Sequence, residues 1–352
     1  MRKILAINVG SSSVKVALFT ADAQPIKRGT TERANVRQWL DRDVAAIGHR
    51  IVHGGAKHVE PEWITPAVLA DLRSLIPFAP NHLPDEIAMI EAFQQHAPKV
   101  RQLACFDTAF HRTMPEIAQR LPIPAEYDAR GIRRYGFHGL SYSYLIHELR
   151  RISPEVADGR VILAHLGNGS SLAALRNGRS IDTTMAFTPI AGVMMSTRSG
   201  DLDPGVITYL GRYEKLSADQ VEEIVSKRSG LLGVSRKGAD MKLLLDCEKS
   251  DAACRLAVDM YVYSIGKSIG ALAAALGGID ALVFSGGIGE HAAAIRARVC
   301  ERLGFLGIQI DPQRNAANAD VISSGRVQVR VIPTDEEIVI ARAAVQLLGT
   351  KG

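Results

Sequence analysis

Leu5-Ala6-Ile7-Asn8-Val9-Gly10-Ser11-Ser12-Ser13 lies near the start of the chain, and Leu163-Ala164-His165-Leu166-Gly167-Asn168-Gly169-Ser170-Ser171 repeats its plan near the middle. In each copy an apolar strand runs into a Gly/Ser turn and a second strand leads away. Small side chains in such a turn leave backbone N–H groups and hydroxyls free to grip phosphate oxygens. A single Gly/Ser turn is more often an ordinary hairpin turn. Here the turn recurs, and Asn8 and Lys15 flank the first copy, where a lysine two residues past the turn can neutralise a phosphoryl group. Two clips in one chain predict two related lobes closing on a nucleotide.

The 352 residues suit two domains, and 47% hydrophobic with 22% charged residues is the balance of a soluble globular chain. The net charge of +5 is scattered rather than gathered into a basic stripe, so nucleic acid is not an expected partner. Cys105, Cys247, Cys254 and Cys300 form no C-x-x-C pair, and they read as reduced core residues. The N-terminus turns polar at Asn8, too soon for the apolar region of a signal peptide, and a cytoplasmic location is expected. The most apolar stretch, Tyr261 to Leu276, contains Lys267 and stops at Gly277-Gly278, so it reads as a buried helix and no membrane partner is expected.

Outward from the first clip, Val14 to Phe19 alternates as the second strand of a hairpin, and Ala45 to Val52 forms another strand ending at His53-Gly54-Gly55. Helices near Thr65 to Leu75 and Asp85 to His96 flank a Pro-rich loop, Pro77 to Pro84, and the strand Gln102 to Phe106 stops at Asp107. The second clip is followed by a hairpin with Asn177-Gly178 at its tip, the pair a type I′ turn prefers. Ala281 to Phe284 runs into Ser285-Gly286-Gly287-Ile288-Gly289-Glu290 and a helix, and Val327 to Ile332 meets Pro333-Thr334-Asp335-Glu336-Glu337 before a closing helix. Polar and Gly-rich residues therefore recur at strand ends, where α/β sheets collect ligands.

Arg50 and Arg198 are guanidinium groups set among small or apolar residues, a setting that suits a grip on carboxylate or phosphate and equally a structural ion pair. Asp107 and Glu336 each follow a strand and could ligate a Mg²⁺ that keeps most of its waters, or cap helices. His49 and His53 lack the Glu-containing remainder of a zinc helix and read as core or hydrogen-bonding histidines. The Gly286 to Glu290 turn fits either an anion at a helix N-terminus or tight helix-to-strand packing.

These residues keep company in eight motifs: Asn8 to Lys15, Gly48 to Gly55, Phe106 to His111, Arg134 to Gly139, His165 to Gly169, Met195 to Pro204, Gly286 to Glu290 and Ile332 to Glu337. In content and order they resemble the acetokinase family, the acetate kinases and related short-chain carboxylate kinases, within the superfamily of sugar kinases, chaperone ATPases and actin. The resemblance implies an α/β fold of two duplicated actin/ribonuclease-H-like lobes with a nucleotide cleft between them. Residues 1–110 with 337–352 would form the acyl and phosphoryl side, and 111–336 the nucleotide-binding and dimerisation side. The implied reaction is reversible phosphoryl transfer from ATP to acetate by direct in-line attack, with Mg²⁺ or Mn²⁺, in a homodimer.

By the same resemblance, Arg50, Arg198, His138, Asn8 and Asp107 carry catalysis, and Asn8 and Glu336 hold the metal. Arg50, Val52, Asn81, Phe137 and Pro189 receive the acid. Lys15, Ser11, Ser13, His165, Gly167, Asn168, Gly169, Asp240, Met241, Lys242, Gly287, Ile288 and His291 serve the nucleotide. Asn81 stands where the family usually has Leu in the alkyl pocket, and a buried amide there would want a hydrogen-bond partner. Tyr142 replaces a frequent His, His291 a frequent Asn and Lys242 a frequent Arg, and the segment from Lys15 to Arg50 is shorter than usual. Two other readings stay open: a kinase for propionate, butyrate or another short acid, and a nucleotide-binding switch or ATPase without a carboxylate substrate.

Overall fold

Both faces of the first strand are apolar. Along β1 (Lys3–Val9), Ile4 and Ala6 point one way and Leu5, Ile7 and Val9 the other, and all five are buried, so this strand must be covered on two sides. The computed structural model, which describes residues 2–10 and 14–349, supplies both covers. Helix Glu336–Gly349 lays Ile340, Ala341 and Ala344 against Ile4, Ala6 and Phe19, while helix Leu83–His96 brings Met89 and Phe93 to Leu5 and Ile7.

The chain divides into two compact units, Met1–Arg112 with Phe137–Tyr144 and Asp335–Gly352, and Thr113–Gly136 with Leu145–Thr334. In the first, β2 (Val14–Thr20) and β3 (Pro25–Thr31) extend β1 as an antiparallel meander, and β4 (Val44–Ile51) and β6 (Arg101–Phe106) add on its other side in parallel. The short β5 (Glu62–Trp63) closes the order β3-β2-β1-β4-β6-β5. The second unit repeats the scheme. There β7 (Arg160–Leu166), β8 (Ser170–Arg176) and β9 (Arg179–Thr183) form the meander, and β10 (Ala281–Ser285) and β11 (Gln328–Val331) the parallel arm, in the order β11-β10-β7-β8-β9. A meander followed by parallel strands on the same side, found twice, is the duplication expected from the two clips. Asn177 and Gly178 at the β8–β9 tip both have positive φ, 53° and 71°, as a type I′ turn demands.

One glycine sets how closely the closing helix approaches. A Cβ on Gly48 would lie 2.2 Å from Ile340 Cγ2, so only glycine lets helix Glu336–Gly349 rest on β4, two residues from Arg50. Its N-terminal acids are thereby fixed beside the end of that strand.

Two expectations need correction. Cys247 and Cys254 are joined in a disulfide, with Cα atoms 6.2 Å apart, and only Cys105 and Cys300 are buried free thiols. Cys247 ends helix Met241–Cys247 and Cys254 sits in the first turn of helix Ala252–Leu276, whose Ala253 and Cys254 N–H groups are capped by Asp251. The capped turn brings together two sulfurs whose spacing matches no familiar motif. Helix Ala252–Leu276 also buries one side only: Tyr261, Ile265 and Ile269 face the core, while Leu256, Met260 and Tyr263 are exposed. Among the described residues no helix is long and apolar enough to cross a membrane.

Candidate active site

In the first unit four of the expected residues meet. Arg50, at the end of β4, donates from Nε to Asp107 Oδ2 at 2.9 Å and from Nη2 to the same oxygen, and its Nη1 reaches Asn8 Oδ1 at 3.3 Å. Asn8 turns its amide N–H groups to Glu336 Oε2 at 2.7 Å and Glu337 Oε1 at 3.1 Å, and Arg50 Nε lies 3.7 Å from Glu336 Oε2. Lys15 sits directly across the hairpin from Asn8.

Asp107 is fully buried, and its Oδ1 accepts from Leu140 N–H at 3.4 Å. Gly139 is required there, because a Cβ would fall 1.9 Å from the Asp107 carbonyl oxygen. Burial pushes the Asp107 carboxyl up against the pull of Arg50, with the charge of Glu336 adding to the rise. Burial alone would depress the Arg50 guanidinium, but Asp107 and Glu336 more than offset it and hold the cation charged. Glu337 is raised by burial and by Glu336, against the pull of Lys15 and Asn8. Three carboxylates therefore crowd one guanidinium, one lysine and one amide, a negative surplus that a hard divalent cation would relieve.

The apolar part of this unit gathers near Val52, which directly follows β4. Val52 and Phe137 are both buried, and the His53 ring packs edge-on against Phe137 at 5.6 Å and Phe78 at 5.5 Å. His53 and His49 are pushed by burial to about 4, and His49 bonds Gln102 at 2.7 Å, so both are neutral core histidines as expected. His138 is held at φ 58°, a sparsely populated region for a residue with a side chain, of the kind that concentrates at functional sites. Tyr142, fully buried, packs against Phe110 and His111 and edge-on to His138. Asn81 is not a buried amide: it is exposed, and Leu83, two residues on, takes the interior position. Ser11 and Ser13 lie outside the described residues.

In the second unit the β7–β8 turn is tied down by its own atoms. Gly167 N–H donates to the Gly169 carbonyl at 3.1 Å and to Ser170 Oγ at 3.3 Å, and Ser170 Oγ bonds the Tyr261 hydroxyl at 2.9 Å. The Asn168 carbonyl accepts from Ser196 N–H at 3.3 Å. Gly286, at φ 76°, abuts the strand end, and a Cβ there would lie 2.7 Å from the Leu166 carbonyl oxygen. His165 pairs with Ser285 across β7 and β10, and a Cβ on Gly167 would lie 3.9 Å from Gly287 N, so the β7–β8 turn lies beside the glycine turn that follows β10. Arg198 donates to the Pro189 carbonyl at 2.9 Å, joining two more expected residues. Asp240 caps helix Met241–Cys247 through a 2.9 Å bond to Leu243 N–H; Met241 is buried, whereas Lys242 and His291 are exposed.

The family model described as the acetokinase family matches residues 30–342. The chain belongs to the acetokinase family. An acetate kinase of Rhodopseudomonas palustris strain TIE-1 is 42% identical over 386 aligned residues, covering 96% of each chain. That alignment is longer than this 352-residue chain, so the relative carries segments that it lacks. Crystal structures of a Porphyromonas gingivalis acetate kinase (37% identity, TM-score 0.88, covering 99% of this chain and 100% of that one) and a Francisella tularensis propionate kinase (34%, 0.90, 97% and 99%) share the fold.

The chain carries four groups that sequence reasoning missed. Glu337 touches Asn8, and its acidity beside Glu336 in Asp335-Glu336-Glu337 was the available signal. Glu290 Oε1 accepts from Gly286 N–H at 2.9 Å and Thr334 N–H at 3.2 Å, pinning the glycine turn to the segment after β11. Arg296, fully buried, spends its five donors on the Gly289 and Glu290 carbonyls, the Asn315 side chain and carbonyl, and Asn318 Oδ1. Glu86 accepts from Val52 N–H at 3.0 Å. Glu290 closes the Gly286 to Glu290 motif, but its bond to Thr334 spans 44 residues, and Arg296 and Glu86 act across long separations from within a helical pattern, where no local motif marks them.

Proposed function

We propose that this acetokinase is an ATP-dependent acetate kinase that transfers the γ-phosphoryl of ATP reversibly to acetate, giving acetyl phosphate and ADP. Membership of the family and the Arg50–Asp107–Asn8–Glu336 network support the reading. The observation that carries it is Arg50, a guanidinium oriented by a buried carboxylate at a strand end beside an amide and two acids.

A simple carboxylic acid has a pKa of about 4–5 by analogy with side-chain carboxyls and is already ionised at neutral pH. No general base is needed, and catalysis reduces to holding two anions together and stabilising charge in transit. Arg50 binds acid and phosphoryl oxygens with Asp107 fixing its plane; Arg198 and His138 provide further donors to the moving phosphoryl group. Val52, Phe137 and Pro189 receive the alkyl end of the acid. His165, Gly167, Asn168 and Gly169, with Lys15 and the serines of the first turn, hold phosphates. Gly287, Ile288, His291 and the start of helix Met241–Cys247 serve the adenosine.

Asn8 and Glu336 offer oxygen ligands of the kind Mg²⁺ prefers, amid a surplus of negative charge that favours a divalent cation. Among the described residues no three His, Cys, Asp or Glu side chains are grouped so as to hold a metal ion on their own. When bound, such an ion neutralises phosphate charge.

Exposed apolar side chains on helices Pro204–Arg212 (Val206, Ile207 and Tyr209) and Ala252–Leu276 (Leu256, Met260 and Tyr263) support a homodimer formed through the second unit. Light scattering at micromolar concentration checks the mass. The decisive assay traps acyl phosphate as hydroxamate with ATP, Mg²⁺ and a panel of short acids. Acetate should be the best acid; turnover far higher with propionate or butyrate moves the assignment to that acid, and ATP binding without any acyl phosphate supports a nucleotide switch instead.

A further inference from the structure

Glu86 is a buried acid with no place in the scheme above. It stands in the first turn of helix Leu83–His96, is 2% exposed, and accepts one hydrogen bond, from Val52 N–H to Oε2 at 3.0 Å. Its Oε1 is also buried and has no hydrogen-bond partner among the described residues. Such a site is poor for a carboxylate, which needs both oxygens solvated or paired. The nearby cation, Arg50, is already committed to Asp107 and lies close to Glu336. A neutral carboxyl fits: one oxygen serves Val52 and no second negative charge competes for Arg50.

We propose that Glu86 works as a neutral carboxylic acid, positioning Val52 and the adjoining end of β4 for the acid substrate, and that its ionisation loosens acid binding. The proposal rests on the carboxylate-kinase reading, since Val52 and Arg50 are the residues assigned to the acid. Glu86 is a positioning residue; it touches Val52, not the reacting atoms.

The surroundings support the direction. Burial pushes the Glu86 carboxyl up to about 8, reinforced by Asp107 after β6 and Asp85 on its own helix, with Arg50 of β4 and the Val52 bond pulling against it. His49 and His53 lie at about 4 and burial holds the Cys105 thiol up at about 12, so none of these three changes charge near pH 8, whereas burial raises Asp107 and Glu337 as well. An alkaline limb in acid binding that vanishes when residue 86 cannot ionise would therefore belong to Glu86. If only the protonated form binds acid well, KM for acetate rises roughly tenfold one pH unit above the Glu86 midpoint, while KM for ATP does not follow it.

The test compares the native protein with Glu86→Gln and Glu86→Leu over pH 6 to 9.5. Gln keeps an acceptor for Val52 N–H and cannot ionise; Leu removes the acceptor. The expected result is an acetate KM that climbs above pH 8 in the native protein, is flat with Gln, and is raised about tenfold at every pH with Leu, a loss that Gln largely restores. An alkaline limb shared by the native protein and Glu86→Gln, or absent from both, overturns the proposal. An infrared difference spectrum of native minus Glu86→Gln protein at pH 7 reads the proton without catalysis. The carbonyl stretch of a protonated carboxylic acid should appear in it, and a carboxylate band in its place overturns the proposal even if no acid is turned over. Failure of every acid in the hydroxamate assay would instead strike the kinase reading, with the infrared result still deciding Glu86.

Discussion

The strands flanking the two clips pair alike and differ in where their polar atoms are spent. At the first, Asn8 reaches across the sequence to Glu336, Glu337 and Arg50, and the result is a charged network at strand ends. At the second, Gly167, Gly169 and Ser170 bond one another, with Tyr261 as a brace, and the glycines leave room beside the backbone. One duplicated hairpin has thus become a charge-handling site in one unit and a shaped, self-satisfied turn in the other. On the proposed reading, the network handles the phosphoryl group in transit and the second turn shapes the place where phosphates are held.

The largest effect that could break this contrast comes from the network. Replacing Arg50 with Ala should lower kcat by about 10²–10³, the scale of losing a preorganised electrostatic donor, with ATP affinity little changed. Lys should not restore it, because Asp107 is matched to both Nε and Nη2 of a planar guanidinium. Steady-state kinetics and nucleotide titration check both statements, and an equal loss in ATP affinity would erase the distinction between the clips.

Next comes the second clip. Gly286→Ala places a methyl 2.7 Å from the Leu166 carbonyl at a φ of 76°, so the turn must shift. The left-handed backbone alone costs about 1–2 kcal/mol in a residue with a Cβ. KM for ATP should rise roughly tenfold while kcat at saturation holds; a fall in kcat with KM unmoved would place Gly286 in the transfer step instead.

Gly48→Ala should act more gently, by pushing helix Glu336–Gly349 from β4 and carrying Glu336 away from Asn8 and Arg50. Overpacking of this kind costs about 1–3 kcal/mol, read as a lower melting temperature together with reduced kcat.

A further effect, on stability alone, is one of linkage. Glu86 keeps its proton in the fold up to about 8 but releases it near 4.5 when unfolded, so between those values the native state binds the extra proton. Its contribution to stability is full below 4.5 and is lost as pH rises toward 8. The melting temperature of Glu86→Gln relative to native protein should therefore climb across this window and level off above it; parallel curves would mean that Glu86 is ionised throughout.

Much of this was legible in the chain. The apolar strands Ile4 to Val9 and Val14 to Phe19, the Asn177-Gly178 tip and the strand running into Gly286 are local signals, and each element formed where its pattern lay. β3 was not read, because Pro25-Ile26-Lys27-Arg28-Gly29-Thr30-Thr31 is an edge strand with little burial, and an exposed edge carries no apolar alternation. The Cys247–Cys254 bridge and the exposure of Asn81 depend on how turns are placed, and Glu86 depends on a helix docking onto β4. Arg50 and Asp107 could each be singled out as polar residues at strand ends. Their partnership is a product of the parallel pairing of β4 with β6, which sets Arg50 opposite Cys105, two residues before Asp107.

The division of labour between the clips is tested most directly by a matched pair, Asn8→Ala and Asn168→Ala, assayed for kcat with acetate and for ATP dissociation constant in the same buffer. The account predicts a crossed result: Asn8→Ala lowers kcat and leaves ATP binding nearly intact, whereas Asn168→Ala weakens ATP binding and retains most of kcat at saturation. Two variants with the same profile, both losing ATP or both losing turnover alone, would contradict it.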